Sequence, residues 1–445
     1  MASFRRNIAG SSNGNMKVWT YSVWFKRAKL GQLQFLLSWG ENNSGECKCY
    51  IDSDDRLFFS NDSVNGSSNK PTRVLRDTNA WYHLVWRHKA DEASNDDRWK
   101  IYLNGELIPA SEYGSPTLAN TDGYAQKYSV MDMWIGENAR NQQGSGIYPF
   151  YGSMSHIHFC DGYAYDASSF GETDATTGEW KIKTSPSVSY GTYGFWIAKD
   201  GNSGTDQSPN SNNATVSGTL TKTEDNPSNV FATLNPLVRT ASTPSFSKGN
   251  NTVSPNAGTY QNHFSTIGMT GGGKYYWEMK VNGSPNSANY HGLSSDTELN
   301  NLINTANVVG YTSASYAFVA SSGNKYNNSS SSSYGSALAS GDIMMGALDL
   351  DNGKIWFGKN GTWFNSGNPA SGSNEAFSSI SASNTYFVSG TVYNGGFTSI
   401  DFNFGNGYFG TTAVSSAGTN ASGNGIFEYD VPTGYTALST KGLNE

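Results

Sequence analysis

The chain has 445 residues, of which 50 are glycine, 13% are aromatic and only 15% are charged. This composition excludes an intrinsically disordered chain, which is poor in aromatic residues and rich in charge. The net charge of −7 comes without a clustered basic stripe, which excludes a nucleic-acid binder because such a protein needs cations to displace counterions. No apolar run approaches the roughly 18 residues of a membrane-spanning helix, so we expect no membrane insertion.

The cysteines and the first residues indicate where the chain is made. Cys47, Cys49 and Cys160 are too few for a disulfide scaffold. The sequence MASFRRNIAG lacks the apolar core of a secretory signal. We therefore expect synthesis in a reducing cytoplasm.

Short segments rich in aromatic and β-branched residues run from Trp19 to about Phe195 and predict β-strands. The strongest signal is the stretch 99–108, where Asn104-Gly105 supplies the positive φ angles of a tight hairpin turn between two apolar runs. Further strands are predicted at 21–25, 35–39, 56–59 and 81–86. Many short strands at this spacing are typical of a β-sandwich.

The second half of the chain begins with a change in composition. Residues 200–254 are dominated by Gly, Asn, Ser, Thr and Pro and predict a mostly extended connector, in which 230–237 is expected to dock on a domain surface. Strands are predicted again at 274–281, 308–311, 342–350, 354–357 and 397–404. Only 297–305 looks helical, and the serine run 329–333 predicts a mobile loop. Trp277, Trp356 and Phe357 are expected in the core.

Two groups of motifs carry resemblances to known families. The first unit resembles a laminin-G-like, concanavalin A-type jelly roll at 81–86 (WYHLVW), 101–107 (IYLNGEL), 134–136 (WIG) and 150–157 (FYGSMSHI). The second resembles a SPRY domain at 273–278 (GKYYWE), 341–343 (GDI), 349–357 (DLDNGKIWF) and 360–361 (NG). The pair, joined by 226–237, is similar to virion proteins of tailed phages, especially marine ones.

These resemblances imply a fold class and a domain organisation. We expect an all-β protein with two antiparallel concanavalin A-like sandwiches, or jelly rolls, joined by an extended linker. The boundaries would be 1–199 for the laminin-G-like sandwich, 200–254 for the connector and 255–412 for the SPRY-like sandwich. The tail, 413–445, is expected to pack back on a domain or on a neighbour.

The resemblance to phage proteins also implies a function, a location and partners. It implies a non-enzymatic virion structural protein, a fibre, spike or head or tail decoration subunit displayed on the particle surface. Its partners would be other virion proteins, further copies of itself in a homo-oligomer, and host surface glycans. Two alternatives stay open: a bacterial secreted or cell-surface carbohydrate-active protein, and a capsid cement protein without a ligand.

Near-matches to catalytic patterns fail at the decisive residue. Glycan hydrolases of the concanavalin A type place carboxylates in a Glu-x-Asp-x-x-Glu pattern, which supplies a nucleophile and an acid. The stretches 172–177 and 428–433 begin in this way but end in Thr177 and Thr433, so we interpret their acids as solvated loop residues. The stretches 10–14 and 268–274 have the spacing of a nucleophile elbow and a phosphate loop without the strand-to-helix context. We expect no enzyme and no catalytic residue.

Metal binding has two candidate sets. Strand alternation places Cys47 with Cys49 on one face, and His156 and His158 with Cys160 on another, which would suit zinc if the strands were neighbours. A packed sheet surface is the competing interpretation. Calcium is the more plausible ion for this fold class, and its candidate oxygens, which an ordinary polar turn explains equally well, belong to Asp52, Asp54, Asp55, Asp96 and Asp97. No cofactor is predicted beyond a structural calcium ion, and no metal ligand is assigned.

Sugar recognition needs flat aromatic faces against C–H-rich sugar surfaces, together with amides and hydroxyls for hydrogen bonds. The predicted loops of both units supply such groups. The candidate ligand-binding residues are Tyr148, Tyr151, Asn138, Asn141, Tyr311, Tyr316 and Tyr393. For each of them, rim packing or a contact between subunits is the competing interpretation.

Overall fold

The computed structural model describes residues 2–9, 17–39, 47–60, 69–113, 130–138, 148–199, 203–238, 240 and 242–444. The chain divides into two compact units, Met1–Lys222 and Thr223–Glu445. Antiparallel sheets dominate both units, which confirms the predicted all-β fold class. No helix in these described ranges has the length and apolar character needed to cross a membrane.

The described elements of the first unit are: β1 (Ser3–Ala9), β2 (Val18–Arg27), β3 (Gln34–Trp39), β4 (Cys47–Ile51), β5 (Leu57–Ser60), β6 (Trp81–Lys89), α1 (Asn95–Arg98), β7 (Trp99–Leu103), β8 (Glu106–Ile108), β9 (Val130–Ile135), β10 (Gly152–Asp161), β11 (Gly171–Thr173), β12 (Trp180–Ile182), β13 (Phe195–Ile197) and β14 (Thr215–Ser217). Within the described residues they form two sheets, ordered β14-β1-β9-β3-β4-β5 and β13-β10-β2-β6-β7-β8, and the hairpin β11-β12.

The two sheets of the first unit pack face to face. Leu37 and Trp39 of β3 and Val23 and Trp86 of the opposite sheet belong to one buried cluster. Trp86 lies between Trp19, at 4.8 Å between ring centroids, and Trp99, at 5.1 Å. Aromatic pairs at such distances add to the free energy gained by removing apolar area from water, so this cluster is the core of a sandwich.

The predicted Asn-Gly hairpin is confirmed between β7 and β8. Asn104 and Gly105 have φ of 50° and 81°, as a two-residue turn with left-handed positions requires. The Asn104 side-chain oxygen also accepts a hydrogen bond of 2.8 Å from the backbone N–H of His83. One residue therefore sets the turn and ties it to β6.

Replacing Asn104 by alanine is expected to lower the free energy of unfolding of the first unit by about 2 kcal/mol, since the His83 N–H loses its acceptor and alanine is strained at positive φ. Asn104→Gly keeps the backbone conformation and should cost about half as much. Urea unfolding followed by tryptophan fluorescence measures both. Wild-type stability in Asn104→Ala would contradict this account of the turn.

The described elements of the second unit are: β15 (Ser245–Ser247), β16 (Thr252–Ser254), β17 (Gln261–Phe264), β18 (Lys274–Asn282), β19 (Tyr290–Ser295), α2 (Asp296–Asn304), β20 (Ser315–Val319), β21 (Asn324–Asn327), β22 (Ser330–Ser333), β23 (Ile343–Asp349), β24 (Lys354–Lys359), β25 (Thr362–Trp363), β26 (Tyr386–Val392), β27 (Ser399–Asn403), β28 (Tyr408–Phe409), β29 (Thr412–Ala413) and β30 (Thr436–Ala437). In the part of the unit that the structure describes, one sheet runs β15-β16-β27-β18-β23-β24-β25, with β30 beside β18, and the other runs β17-β26-β19-β20-β21-β22.

Several sequence predictions for this unit have a definite outcome. The helix predicted at 297–305 is α2, and Trp277, Trp356 and Phe357 are buried as expected. The predicted loop at 329–333 is wrong, because β22 pairs with β21 through a turn at Asn328 and Ser329 with φ of 49° and 59°. The strand predicted at 308–311 is wrong as well, because those residues form turns before β20.

The segment 200–254 contributes to both units. Its strand β14 pairs with β1 of the first unit, while β16 pairs with β27 of the second. Ala232 and Leu234 are fully buried in the core of the second unit, so the expected docking of 230–237 is observed. These apolar side chains help to hold the polar stretch against the second unit, because each gains by leaving water.

The C-terminal segment covers the outer face of the larger sheet of the second unit. Phe427, Val431 and Tyr435 form a buried cluster with Tyr276 and Met345 of that sheet. The fully buried Glu278 on β18 accepts hydrogen bonds of 2.9 Å from the hydroxyl of Tyr276 and from the backbone N–H groups of residues 428 and 429. Burial raises the pKa of Glu278 to about 7, and these hydrogen bonds oppose the rise. The acid therefore anchors the segment.

Candidate functional site

An aromatic row lies on the outer face of the first unit. Cys47, Cys49 and Ile51 of β4 point into the core, so the alternating Tyr50 points outward. The strand register places Tyr50 opposite Phe35 of β3 and opposite Phe58 of β5. Centroid distances are 4.9 Å between Phe35 and Tyr50 and 4.6 Å between Tyr50 and Phe58. The ring planes of Tyr50 and Phe58 are 17° apart, so these two rings are stacked, and the ring of Phe35 is tilted by 31° to that of Tyr50.

Tyr148 ends this row. Its ring lies 6.1 Å from that of Phe35, with 25° between the ring planes, and its side chain is 45% exposed. The backbone N–H of Phe35 donates to the Tyr148 carbonyl at 3.1 Å, which extends the sheet by one contact. The stack holds the tyrosine in one orientation while solvent reaches it. We call Phe35, Tyr50, Phe58 and Tyr148 the aromatic row.

The backbone of Tyr148 is strained. Its φ of 54° lies in the left-handed region, which is rare for a bulky residue and costs of order 1 kcal/mol. Strain of this kind persists only where the surroundings enforce it, and it concentrates at binding and catalytic sites. Here the hydrogen bond from Phe35 and the ring stack enforce it.

Polar groups border the row. The ammonium of the exposed Lys29 lies 4.2 Å from the ring centroid of Tyr151, and the backbone N–H of Tyr151 donates to the Gln34 side chain at 3.0 Å. Asn138 follows the end of β9, the strand that pairs with β3. Aromatic, cationic and amide groups therefore belong to one end of this sheet.

The remaining candidate residues lie elsewhere or outside the described residues. Tyr311 is 43% exposed in the second unit, and Tyr393 is half-buried with its ring 5.8 Å from that of Tyr260. Tyr316 is only 8% exposed and packs against Phe377, so its ring offers little surface to a ligand. Asn141 lies outside the described residues. The structure thus places Tyr148 in the aromatic row and Tyr151 near it, whereas sequence reasoning did not single out Phe35, Tyr50 or Phe58 as site residues. The signal that could have found Tyr50 is the alternation of side chains along 47–51, which places Tyr50 on the face opposite to Cys47, Cys49 and Ile51.

The acids of the first near-catalytic pattern form ion pairs. Lys181 lies 3.3 Å from Glu172 and 3.2 Å from Asp174, all on the β11-β12 hairpin and the turn that follows β11. Hydrogen bonds from the backbone N–H groups of Thr177 and Thr176, followed by Lys181, lower the pKa of Asp174 to about 2. Such a carboxyl holds no proton to give to a leaving group. The second set, Glu428 and Asp430, accepts hydrogen bonds from residues 415 and 419.

A buried serine–histidine pair sits on the second sheet of the first unit, under the β11-β12 hairpin. Ser22 Oγ lies 2.9 Å from His83 Nε2, and the indole N–H of Trp180 donates to His83 Nδ1 at 2.9 Å. Because an indole can only donate, Nδ1 is the acceptor and Nε2 carries the proton. His83 therefore donates to Ser22 and cannot take its proton. Burial also lowers the pKa of His83 to about 3.

The cysteines of the candidate zinc sets lie in apolar surroundings. Cys47 and Cys49 lie in the core between the sheets, whereas Cys160 belongs to a separate buried cluster with Tyr190 and Trp196. Burial raises the pKa of all three thiols, which disfavours the thiolate that zinc requires. Across the described ranges, no three His, Cys, Asp or Glu side chains are grouped as metal ligands would be.

The acidic loop proposed for calcium is occupied by cationic side chains. The Lys70 ammonium lies 2.7 Å from Asp52 and 2.8 Å from Asp54. The fully buried Arg27 lies 3.0 Å from Asp55. These carboxylates are thus compensated by protein groups. Of the other two candidates, Asp97 pairs with Lys100 at 3.1 Å, beside Asp96 on α1.

Two family models match the chain. Residues 8–168 match the concanavalin A-like lectin/glucanases superfamily model, Laminin_G_3, and residues 274–406 match the SPRY domain model. The chain contains a concanavalin A-like domain and a SPRY domain. Both resemblances from the sequence are confirmed, and both domain types suggest a binding function. The similarity to phage virion proteins stays a prediction.

Solved structures show weaker likenesses. The SPRY domain of human HERC1 is 22% identical over 34% of this chain and 87% of its own, with a TM-score of 0.28. A heptameric SAP-like pentraxin from Limulus polyphemus is 17% identical over 37% of this chain and 71% of its own, with a TM-score of 0.26. A putative carbohydrate binding protein from Bacteroides ovatus is 16% identical over 48% of this chain and 56% of its own, with a TM-score of 0.32. Such low TM-scores indicate nothing about ligand or partner. No curated protein matches the chain.

Proposed function

We propose that this chain is a non-enzymatic glycan-binding protein whose concanavalin A-like domain stacks a sugar ring on Tyr148. The observation that carries this proposal is an exposed tyrosine held in a strained backbone conformation at the end of a stack of rings. A sugar presents C–H groups on one face and hydroxyls at its edge, so it pairs with a fixed aromatic face and with neighbouring polar groups.

Preorganisation supports this use of Tyr148. A side chain that is already ordered loses little conformational entropy when a ligand binds, and the contact with Phe35 restricts the ring before any sugar arrives. Lys29, beside Tyr151, supplies an ammonium donor on the same side of the unit. We expect each concanavalin A-like domain to bind its glycan weakly. Displaying many copies of the chain on one surface then strengthens the overall binding.

The concanavalin A-like lectin/glucanases superfamily contains both binding proteins and hydrolases, so the absence of catalysis is part of the proposal. Its support is that Asp174 has a lowered pKa and that the Ser22–His83 pair has the wrong tautomer for a nucleophile. Release of reducing ends from a polysaccharide by the purified chain, lost in Asp174→Ala, would contradict it.

Replacing Tyr148 by alanine is expected to weaken glycan binding about tenfold, corresponding to a stacking contribution of about 1.4 kcal/mol. The full chain, displayed multivalently on beads, is measured on a glycan array for wild type and variant. Tyr148→Phe keeps the ring and should retain most of the binding.

Tyr163→Ala is the matched control. Tyr163 is 41% exposed in the same unit, and its ring stacks on Tyr165 at 5.9 Å, but it is not part of the aromatic row. Equal losses of glycan binding in Tyr148→Ala and Tyr163→Ala would contradict the assignment of the site to Tyr148. A multivalent wild-type chain that binds no glycan would favour the cement-protein alternative.

The biological setting follows from the resemblance to tailed-phage proteins and is part of the same proposal. The chain is a virion fibre, spike or decoration subunit, displayed on the particle as a homo-oligomer and in contact with other virion proteins. Immunogold labelling with antibodies against the chain tests this. Gold on phage particles supports the proposal, whereas gold on bacterial envelopes would identify a cell-surface carbohydrate-active protein.

A further inference from the structure

A cavity of about 620 Å³ opens in the second unit, between the start of β18 and the C-terminal segment. This volume is in the range of small-molecule sites. One wall contains residues 270–274 of the glycine-rich stretch that the sequence singles out at 268–274, together with Asp351 from the β23-β24 turn. The other wall contains Ala421, Ser422, residues 434–436 and residues 442–443.

A fixed ammonium and a carboxylate line this cavity. The Lys274 Nζ lies 3.0 Å from Asp349, which is 2% exposed and is held by two hydrogen bonds from Asn352. An ammonium has three N–H donors, so this ion pair fixes its position and leaves donors for a ligand. Asp351 accepts from the backbone N–H of Gly273 at 2.7 Å through one oxygen, which leaves its second oxygen as an acceptor.

Glycine sets the backbone of both walls. Gly271 and Gly434 have φ of 74° and 87°, in the left-handed region that favours glycine. The side chains of Tyr275 and Tyr435 also line the cavity but are almost wholly buried. The groups left for a ligand are therefore mainly polar, from the backbone and from Lys274 and Asp351.

The second wall is firmly attached, although it lies beyond the matched SPRY region, which ends at 406. Strand β30 pairs with Tyr275 and Tyr276 of β18, and Glu278 binds the backbone of residues 428 and 429. The cavity is thus a property of this chain's own C-terminal segment and not of the SPRY match alone.

We propose that this cavity binds one uncharged, polyhydroxylated ring, of the size of a single pyranose. One hydroxyl donates to Asp351 while its neighbour accepts from Lys274. Adjacent hydroxyls on a ring supply a donor and an acceptor side by side. An anionic ligand would meet two carboxylates, Asp349 and Asp351, against one ammonium, which makes a neutral ligand the better fit.

The test uses the full chain carrying Tyr148→Ala, which weakens binding in the first unit, and the cavity variants then identify the part of the signal that comes from the second unit. Glucose, galactose, mannose and N-acetylglucosamine are offered separately at millimolar concentration, and saturation-transfer NMR detects binding. At least one sugar is expected to bind. Asp351→Asn, which keeps an oxygen for Gly273, should weaken its binding at least tenfold, and Ala421→Trp, which fills the mouth from an exposed position, should abolish it.

Ala413→Trp is the control, because Ala413 is exposed on β29 and does not line the cavity. It should bind as the parent does, and thermal unfolding of all variants should match the parent. The proposal is overturned if none of the four sugars gives a signal, or if Ala421→Trp leaves the signal unchanged. Either result leaves the Tyr148 site untouched, since that site is tested by its own array.

Discussion

Replacing Asp55 by asparagine is expected to lower the free energy of unfolding of the first unit by about 3 kcal/mol, because it leaves the buried Arg27 without its counter-charge. The Arg27 side chain is fully buried, and its guanidinium donates at 3.0 Å to Asp55. Burial already lowers the pKa of Arg27. Asparagine tolerates the φ of 66° at this position, so the change removes charge without straining the turn.

The same substitution is expected to weaken glycan binding. Arg27 also donates to the backbone carbonyls of Lys29 and Leu75, and Asp55 accepts from the backbone N–H of Gly31 at 2.8 Å. The pair therefore positions residues 29–31, which precede Phe35 of the aromatic row. Asp55 is a positioning residue that acts through this segment.

Urea unfolding, with glycan binding measured below the transition, tests both effects. Asp54→Asn is the matched control: Asp54 is 42% exposed and pairs with Lys70 and Arg56, and exposed pairs contribute about 0.5 kcal/mol. Removing both partners in Arg27→Met/Asp55→Asn should restore part of the stability, since no charge then stays buried alone. Equal stability of the Asp55→Asn and Asp54→Asn chains would contradict this account.

Acidification is expected to unfold the second unit, and two histidines should account for much of the effect. His263 and His291 are buried, with 6.0 Å between their ring centroids and without a hydrogen-bond partner on any ring nitrogen. Burial lowers the pKa of His263 to about 3, and burial with the neighbouring His263 lowers that of His291 well below its ordinary value of 6.5. Both imidazoles are thus neutral in the folded unit.

The sign of the pH dependence follows from proton binding. Between about pH 6.5 and pH 3 the unfolded chain binds protons on these histidines and the folded unit does not, so stability is lost as the pH falls. Glu278 has the opposite effect on the pH dependence of stability. Its folded pKa of about 7 is above the ordinary 4.5, so its contribution is full below pH 4.5 and is lost as the pH rises through 7.

The double variant His263→Leu/His291→Leu isolates the histidine effect. Between pH 4 and 6, the free energy of unfolding of the wild type should fall more steeply with decreasing pH than that of the double variant. The difference in slope should be about 2.7 kcal/mol per pH unit, which corresponds to two protons. Urea unfolding at half-unit pH steps gives this difference, and all other titrating groups cancel in it. His291→Leu alone should give half the effect. Parallel pH profiles for wild type and double variant would show that the histidines are not neutral in the fold.

Local signals in the sequence were sufficient to predict most strands and turns. The alternation in 274–281 and the Asn-Gly pair at 104–105 depend on neighbours in the chain, because strand geometry and positive φ are properties of a few residues. The serine run 329–333 carried no such signal. Serine is common in loops, and only pairing with β21 made it a strand.

In the candidate site, too, some features could be predicted from the sequence and others depend on tertiary contacts. Tyr148 and Tyr316 each have a phenylalanine two residues later in the sequence, yet one is exposed at the end of the row and the other is packed in a core. The sequence by itself determined the all-β class, the two resemblances and the hairpin turns. Only the tertiary structure decided that Phe35, Tyr50 and Phe58 stack beside Tyr148 and that Asp351 faces the C-terminal segment. Those contacts join residues far apart in the chain, and strand register and packing, rather than local preference, set which side chains meet.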